Sequence, residues 1–163
     1  MRYHNITKDD MLNGEGLRTV LWVAGCSHHC PQCHNPVTWD INGGLVFDEQ
    51  EKEELFEELK KDYVSGVTFS GGEPFHLENR EEIGALAKEI REKFPDKTIW
   101  LYTGYEWEEI CHLSFLSNID VIVDGKFKIE EKDNNLHWKG SANQRVIDVK
   151  ASLRAGEVRL YQE

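Results

Sequence analysis

Nothing in this sequence is apolar for long enough to cross a bilayer. The N-terminal stretch, MRYHNITKDDML, lacks the apolar segment of a secretory signal. Positive charge is also in short supply: 19 Lys and Arg stand against 30 Asp and Glu, a net charge of −11. That balance argues against a chain that wraps nucleic acid or coats an anionic membrane. Together these deficits lead to the expectation of a cytoplasmic protein with neither kind of partner. Internal repeats, low-complexity tracts and Pro/Ser-rich linkers are missing too, so residues 1–163 are read as a single domain. The 163 residues suffice for one real core. They fall short of the roughly 250 residues of a full eight-unit α/β barrel.

Short apolar runs alternate with amphipathic stretches. Strands are expected at residues 19–24, 66–70, 98–102 and 119–124, and weaker ones at 145–149 and 158–161. Residues 48–61 predict a helix in which Asp48 and Glu51 form a capping pair and Leu55, Phe56 and Leu59 form the apolar face. Residues 79–94 predict another, with Ile83, Leu86, Ala87, Ile90 and Phe94 on one stripe. A short helix is expected over residues 106–112. Near-continuous apolar strands between helices imply an α/β fold, a parallel sheet covered by helices. In such folds the working loops follow the C-terminal ends of the strands. The unusual stretches obey that rule: a cysteine loop follows the first strand, GGEP (71–74) the second, TGY (103–105) the third and DGKF (124–127) the fourth. Four such loops on one rim suggest one shared site.

Cysteine is scarce, with four in all, yet Cys26, Cys30 and Cys33 fall within GCSHHCPQCHNP at the spacing C-x3-C-x2-C. In a reducing cytosol such a cluster signals metal ligation or catalysis rather than disulfides. Uncommitted thiols this close together would bind metal or oxidise. Zinc accepts three cysteines and a histidine, here His28, His29 or His34. Structural zinc sites, however, usually draw on two separated pairs, and no second pair exists. A four-iron cluster normally takes four thiolates. Three would leave one iron open to bind a substrate directly. The cluster is the preferred reading, and a non-catalytic zinc-binding interaction module is the alternative. In GGEP, Gly71 and Gly72 allow close backbone approach to a ligand, Glu73 offers an acceptor for an amine, and Pro74 stiffens the turn.

The C-x3-C-x2-C loop followed by GGEP resembles the radical S-adenosylmethionine (SAM) enzymes. NGEGLR (13–18), CHNPVTW (33–39), IWLYTGY (99–105), VDGKF (123–127) and GSANQRVIDV (140–149) follow in order. With these, the chain resembles the anaerobic ribonucleoside-triphosphate reductase activating proteins from about residue 3 to residue 149. The resemblance implies a shortened, open radical SAM partial barrel. It implies a 4Fe–4S cluster on Cys26, Cys30 and Cys33, with SAM chelating the fourth iron. Gly71, Gly72, Glu73 and Pro74 would position SAM, and Gln32, Cys33 and His34 would line its adenine side. The family pattern often has glycine at position 32 and an aromatic residue at position 34. The activity implied is formation of a glycyl radical on the large subunit of the reductase, by hydrogen abstraction with a 5′-deoxyadenosyl radical. The abstracting species comes from the cofactor, so no protein residue is expected to act as general acid or base. The implied electron donor is a reduced flavodoxin or ferredoxin. CHNP also resembles the pyruvate formate-lyase activating enzymes, whose longer chains carry barrel units not matched here.

Other residues have plainer readings. Cys111 is expected as a small buried hydrophobe on a helix, and His28 and His29 as solvent-facing loop residues. The acidic run over 49–62 reads as a solvated helix face, and the five tryptophans as core or interface. Arg18 and Lys126 lie near rim loops and are candidates for facing the SAM carboxylate or a partner. Asn143, Gln144 and Arg145 match the family without an evident physical role.

Overall fold

The computed structural model describes residues 1–33 and 36–162. His34, expected beside the adenine, lies outside them. The strands are β1 (Arg2–Asp10), β2 (Arg18–Val23), β3 (Leu45–Val46), β4 (Gly66–Gly71), β5 (Thr98–Tyr102), β6 (Val121–Asp124) and β7 (Arg145–Asp148). The helices are α1 (Glu49–Leu59), α2 (Arg80–Lys93), α3 (Trp107–Ile110) and α4 (Val149–Ala155). All seven strands form one open mixed sheet in the order β3-β1-β2-β4-β5-β6-β7.

The central strands β2, β4, β5 and β6 are parallel, as expected. At the edges the all-parallel expectation is corrected: β1, β3 and β7 pair antiparallel. A short connection explains β1, and the lack of a crossover helix explains β7. A parallel pair needs a crossover of a dozen or more residues, usually helical. Residues 11–17 between β1 and β2 are too few, and between β6 and β7 the chain forms only the short 3₁₀ turn Ile129–Glu131. Without a covering helix the chain returns antiparallel. β1, RYHNITKDD, is not legible as a strand in the sequence, because most of its residues are polar and only Tyr3 is buried.

One face of the sheet carries the helices. Leu55 and Leu59 of α1 and Ile83, Ala87 and Ile90 of α2 pack with Leu21, Val23, Val67, Phe69, Ile99 and Leu101. Asp48 begins α1 with a complete capping box, accepting from Gln50 N–H while Glu51 accepts from the Asp48 N–H. Alternate residues of the same strands point to the other face. There Trp100, Val121 and Val123 are covered by Tyr102, Trp138, Val146 and Tyr161. Residues 158–161, expected as a strand, contribute only an isolated bridge, Ile147 to Leu160. Asp148 ends β7 by capping α4, and Gly156 turns the chain back in a left-handed conformation.

Arg18 is buried on this second face at the N-terminal end of β2, opposite the rim where the cysteine loop lies. Its Nε donates to Thr68 Oγ1 (2.9 Å), Nη1 to Glu15 O (2.9 Å) and Thr98 Oγ1 (2.8 Å), and Nη2 to Val67 O (2.8 Å) and Thr98 O (2.8 Å). All five guanidinium donors are therefore engaged, and the group also stacks over Trp100 at 5.5 Å. Desolvation lowers its pKa to about 10. The sequence-based role at the rim is corrected: Arg18 clamps the starts of β2, β4 and β5. Arg18→Met is expected to leave these buried acceptors unpaired and lower the unfolding free energy by about 1–3 kcal/mol. Urea denaturation of the metal-free protein measures this.

Candidate metal centre

The loops after β2, β4, β5 and β6 meet at one rim, and one carboxylate joins three of them. Glu73 is buried, at 1% exposure. Its Oε1 accepts from Gly104 N–H (2.7 Å) and contacts His28 Nε2 (2.7 Å). Its Oε2 accepts from Thr103 Oγ1 (2.7 Å) and Phe75 N–H (2.9 Å). The cysteine loop, the TGY loop and the GGEP turn thus share one acceptor. Pro74 follows Glu73 in a turn closed by His76 N–H to Glu73 O (3.0 Å), with proline at the favoured second position.

The glycines of GGEP serve a close approach, but one made by protein backbone. A Cβ on Gly72 would lie 2.6 Å from Gly25 O and 2.8 Å from Thr38 O. A Cβ on Gly71, which has φ 107°, would lie 2.6 Å from Val23 N. Glu73 N–H donates to Gly25 O (2.7 Å), and Gly25 N–H donates to Thr38 O (2.7 Å). The base of the cysteine loop is therefore fastened main chain to main chain against the GGEP turn.

Cys26, Cys30 and Cys33 are all half-buried thiols on the loop, while Cys111, expected to be buried, is exposed beside the short α3. Desolvation pushes the Cys26 thiol up to about 11, against backbone N–H groups of His28 and His29 that favour its thiolate. Burial raises Cys30 as well, opposed by the Phe127 N–H directed at its sulfur and by the Lys126 charge. Half-buried thiols with amides aimed at the sulfur fit ligation by a cationic centre, which would supply the charge the thiolates lack. Among the described residues no three His, Cys, Asp or Glu side chains converge as they would around a single metal ion. Three thiols on one loop are a donor set that would suit a four-iron cluster with one iron left open.

His28 faces inward, which corrects the solvent-facing expectation for that residue, whereas His29 is exposed as expected. The His28 side chain is 7% exposed and sits edge-on to Tyr105. A Cβ on Gly104 would come within 2.5 Å of its ring, so any side chain there would displace His28 from Glu73. His29 stacks on Trp39, with centroids 4.4 Å apart. Gln32 is exposed and adopts φ 55°, the left-handed region in which glycine is least strained.

Two clefts flank the loop. One, of about 400 Å³, is lined by Cys33, Ser70, Gly71, Trp22 and Tyr102, with Trp138 and Phe127 opposite. The other, of about 550 Å³, is lined by Ser27, His28, Gly104, Tyr105, Lys126 and Lys128. A larger cleft, about 1180 Å³, lies at the far end of the strands around Thr98, Asp120 and Asp148 and touches none of the rim loops.

Residues 143–145 have no evident role in the sequence; the structure supplies one. Arg145 Nη2 binds Asp124 Oδ2 (2.6 Å) and Glu108 Oε2 (3.0 Å). Buried Asp124 also accepts from Trp107 N–H (2.8 Å). Gln144 Nε2 donates to Gly125 O (3.0 Å), and Asn143 Nδ2 donates to Lys126 O (2.8 Å). These side chains hold the turn after β6. Thr103, Gly104 and Phe127 are visible in the sequence only as members of unusual loops, since their hydrogen bonds depend on the tertiary fold.

Comparison with known proteins defines the class first. Residues 12–147 match the family model described as a 4Fe-4S single cluster domain. Curated relatives then narrow it. The chain is 43% identical over 146 residues to the anaerobic ribonucleoside-triphosphate reductase-activating protein of Enterobacteria phage T4, covering 90% of this chain and 93% of the relative. It is 39% identical over 150 residues to the protein of that name from Escherichia coli K12 and 38% identical to the one from Haemophilus influenzae, covering 90% of this chain and 97% of each relative. The chain belongs to the family of anaerobic ribonucleoside-triphosphate reductase-activating proteins.

The four-donor arrangement at Glu73 yields a test. Glu73→Gln keeps the shape but puts an amide NH₂ where two donors now point. Leaving them unsatisfied is expected to cost about 1–3 kcal/mol, read from the denaturation midpoint of the metal-free protein.

Proposed function

We propose that this chain is an iron–sulfur, SAM-dependent activase that generates a glycyl radical on an anaerobic ribonucleoside-triphosphate reductase. The observation carrying this reading is the cluster-type thiol loop at the sheet's C-terminal rim, in a chain that belongs to the activating-protein family. Cys26, Cys30 and Cys33 would hold a 4Fe–4S cluster. When loaded with cluster and SAM, the site would supply one-electron chemistry able to split SAM into methionine and a 5′-deoxyadenosyl radical that takes hydrogen from a glycine Cα.

The remaining contributions belong to this chain. The cleft beside Cys33, Ser70 and Gly71 offers a place for SAM, with Gly71, Gly72, Glu73 and Pro74 as its supporting turn. Gln32, Cys33 and His34 would border the adenine. Glu73 would place negative charge beneath that turn, near the amine, while its four hydrogen bonds keep three loops in register. The architecture fits a shortened, open radical SAM partial barrel made from one domain. Its rim is uncovered, so the reductase itself would shelter the radical from water. A reduced flavodoxin or ferredoxin is the proposed donor. Among the described residues no helix is long and apolar enough to cross a membrane, and a cytoplasmic setting suits an oxygen-sensitive cluster and those partners.

The test is anaerobic reconstitution followed by electron paramagnetic resonance. Mixing protein, SAM, reductant and the cognate reductase should give a glycyl radical on the reductase, identified by its altered hyperfine splitting when the glycine Cα is deuterated. A colourless protein with stoichiometric zinc, unchanged by reconstitution, would overturn the reading. A signal with a pyruvate formate-lyase-type partner and none with the reductase would overturn the choice of partner. Cys26→Ala, Cys30→Ala and Cys33→Ala are each expected to lose cluster and SAM cleavage, whereas Cys111→Ala retains both. Iron and sulfide analysis checks the ligand set.

A further inference from the structure

Resting on the reading that Cys30 ligates a cluster, we propose that Asn143 is a positioning residue that sets the reduction potential of that cluster through a single peptide group. The peptide is the one joining Lys126 to Phe127. Its N–H is directed at the Cys30 sulfur. Its carbonyl oxygen is gripped from the other side by Asn143 Nδ2 at 2.8 Å. N–H and C=O of a trans peptide point in opposite directions in one plane, so a hold on the oxygen fixes where the hydrogen points. Hydrogen bonds in a chain also polarise one another, so a donor on the oxygen strengthens the N–H as a donor to sulfur.

The neighbouring bonds leave this plane little freedom. Gln144 Nε2 holds the preceding carbonyl, Gly125 O, at 3.0 Å. Gly125 N–H is fixed to Tyr105 O at 3.0 Å, and Lys128 N–H to Ser141 Oγ at 3.2 Å. Arg145 anchors the start of the turn through Asp124. The Asn143 amide has one workable orientation, in which Nδ2 takes the carbonyl and Oδ1 is buried without a hydrogen-bond partner. Reversing the amide would set two oxygens against each other.

The electrostatic consequence has a definite sign. Adding one electron from an external reductant makes the cluster more negative. An N–H pointing at a ligating sulfur stabilises the reduced form and raises the potential. Loss of the Asn143 grip lets the peptide rotate, weakens that bond and lowers the potential.

The experiment uses reconstituted full-length protein. In native protein labelled with ¹⁵N-phenylalanine, pulsed electron–nuclear double resonance of the reduced cluster should show a ¹⁵N coupling. Phe127→Leu should abolish that coupling, because the substitution removes the label while keeping the amide. Asn143→Leu and Asn143→Ala both delete the donor without adding charge, and the smaller replacement guards against misfolding of the larger. In whichever retains native iron and sulfide, a mediated redox titration should show a lower midpoint, with about a tenfold less favourable reduction equilibrium, about 59 mV for one electron. Absence of a Phe127-dependent coupling, or an unchanged midpoint in a cluster-replete Asn143 variant, overturns the inference. Failure of the underlying reading looks different: the native protein itself would take up no iron and sulfide.

Discussion

One buried carboxylate governs the architecture of the rim. Glu73 receives four donors, two per oxygen, from three segments far apart in sequence. A carboxylate has about four lone-pair sites, so the group is saturated. Removing any one segment would leave buried donors or acceptors unpaired. The three loops therefore form as a unit. The cysteine loop lacks regular structure over most of its length and takes its shape from this junction and from the main-chain contact of Gly72 with Gly25 and Thr38.

The sheet separates stability from chemistry along the strand axis. At the N-terminal ends, Arg18 at the start of β2 binds backbone and hydroxyl oxygens at the starts of β4 and β5 and stacks on Trp100. At the C-terminal ends, the strands release loops whose polar groups converge. Both sheet faces are filled, one by helices and the other by aromatic residues from the segment after β6 and the C-terminal stretch. That second covering explains why the central strands are apolar at nearly every position. It also brings the turn after β6 over the cysteine loop, placing the Phe127 amide beside Cys30.

The parts of the fold legible in sequence are those written in local pattern. The central strands announce themselves by burial on both faces, and α1 and α2 by their stripes and by the Asp48–Glu51 cap. β1 stays hidden because its pairing with β2, rather than its own apolar content, makes it a strand. α4 is hidden for a similar reason: seven residues carry little periodicity, and its cap, Asp148, falls inside an apolar run that reads as a strand. At the site, the cysteine spacing and the GGEP turn are readable because they are contiguous. The partners of Glu73, the inward turn of His28 and the contacts of residues 143–145 are not. Each depends on pairings across dozens of positions. Arg18 misleads because proximity in sequence to an unusual loop does not say at which end of a strand a side chain sits.

The edges of the sheet have a consequence of their own. An open sheet presents unpaired N–H and C=O groups that invite pairing with another chain. Here one border is the two-residue β3 beside Arg2 and Tyr3 and, beyond it, the rest of β1, which is broken by two register irregularities and ends in the charged residues Lys8, Asp9 and Asp10. The other is β7, screened in part by the returning C-terminal stretch through the Ile147–Leu160 bridge and through main-chain bonds from Asp148 to Arg159 and from Tyr161 to Val146. Neither border offers a long flat template. A surface carrying a net charge of −11 adds mutual repulsion between copies. Strand-to-strand aggregation is thereby disfavoured, so the rim can stay uncovered without the sheet borders becoming adhesive.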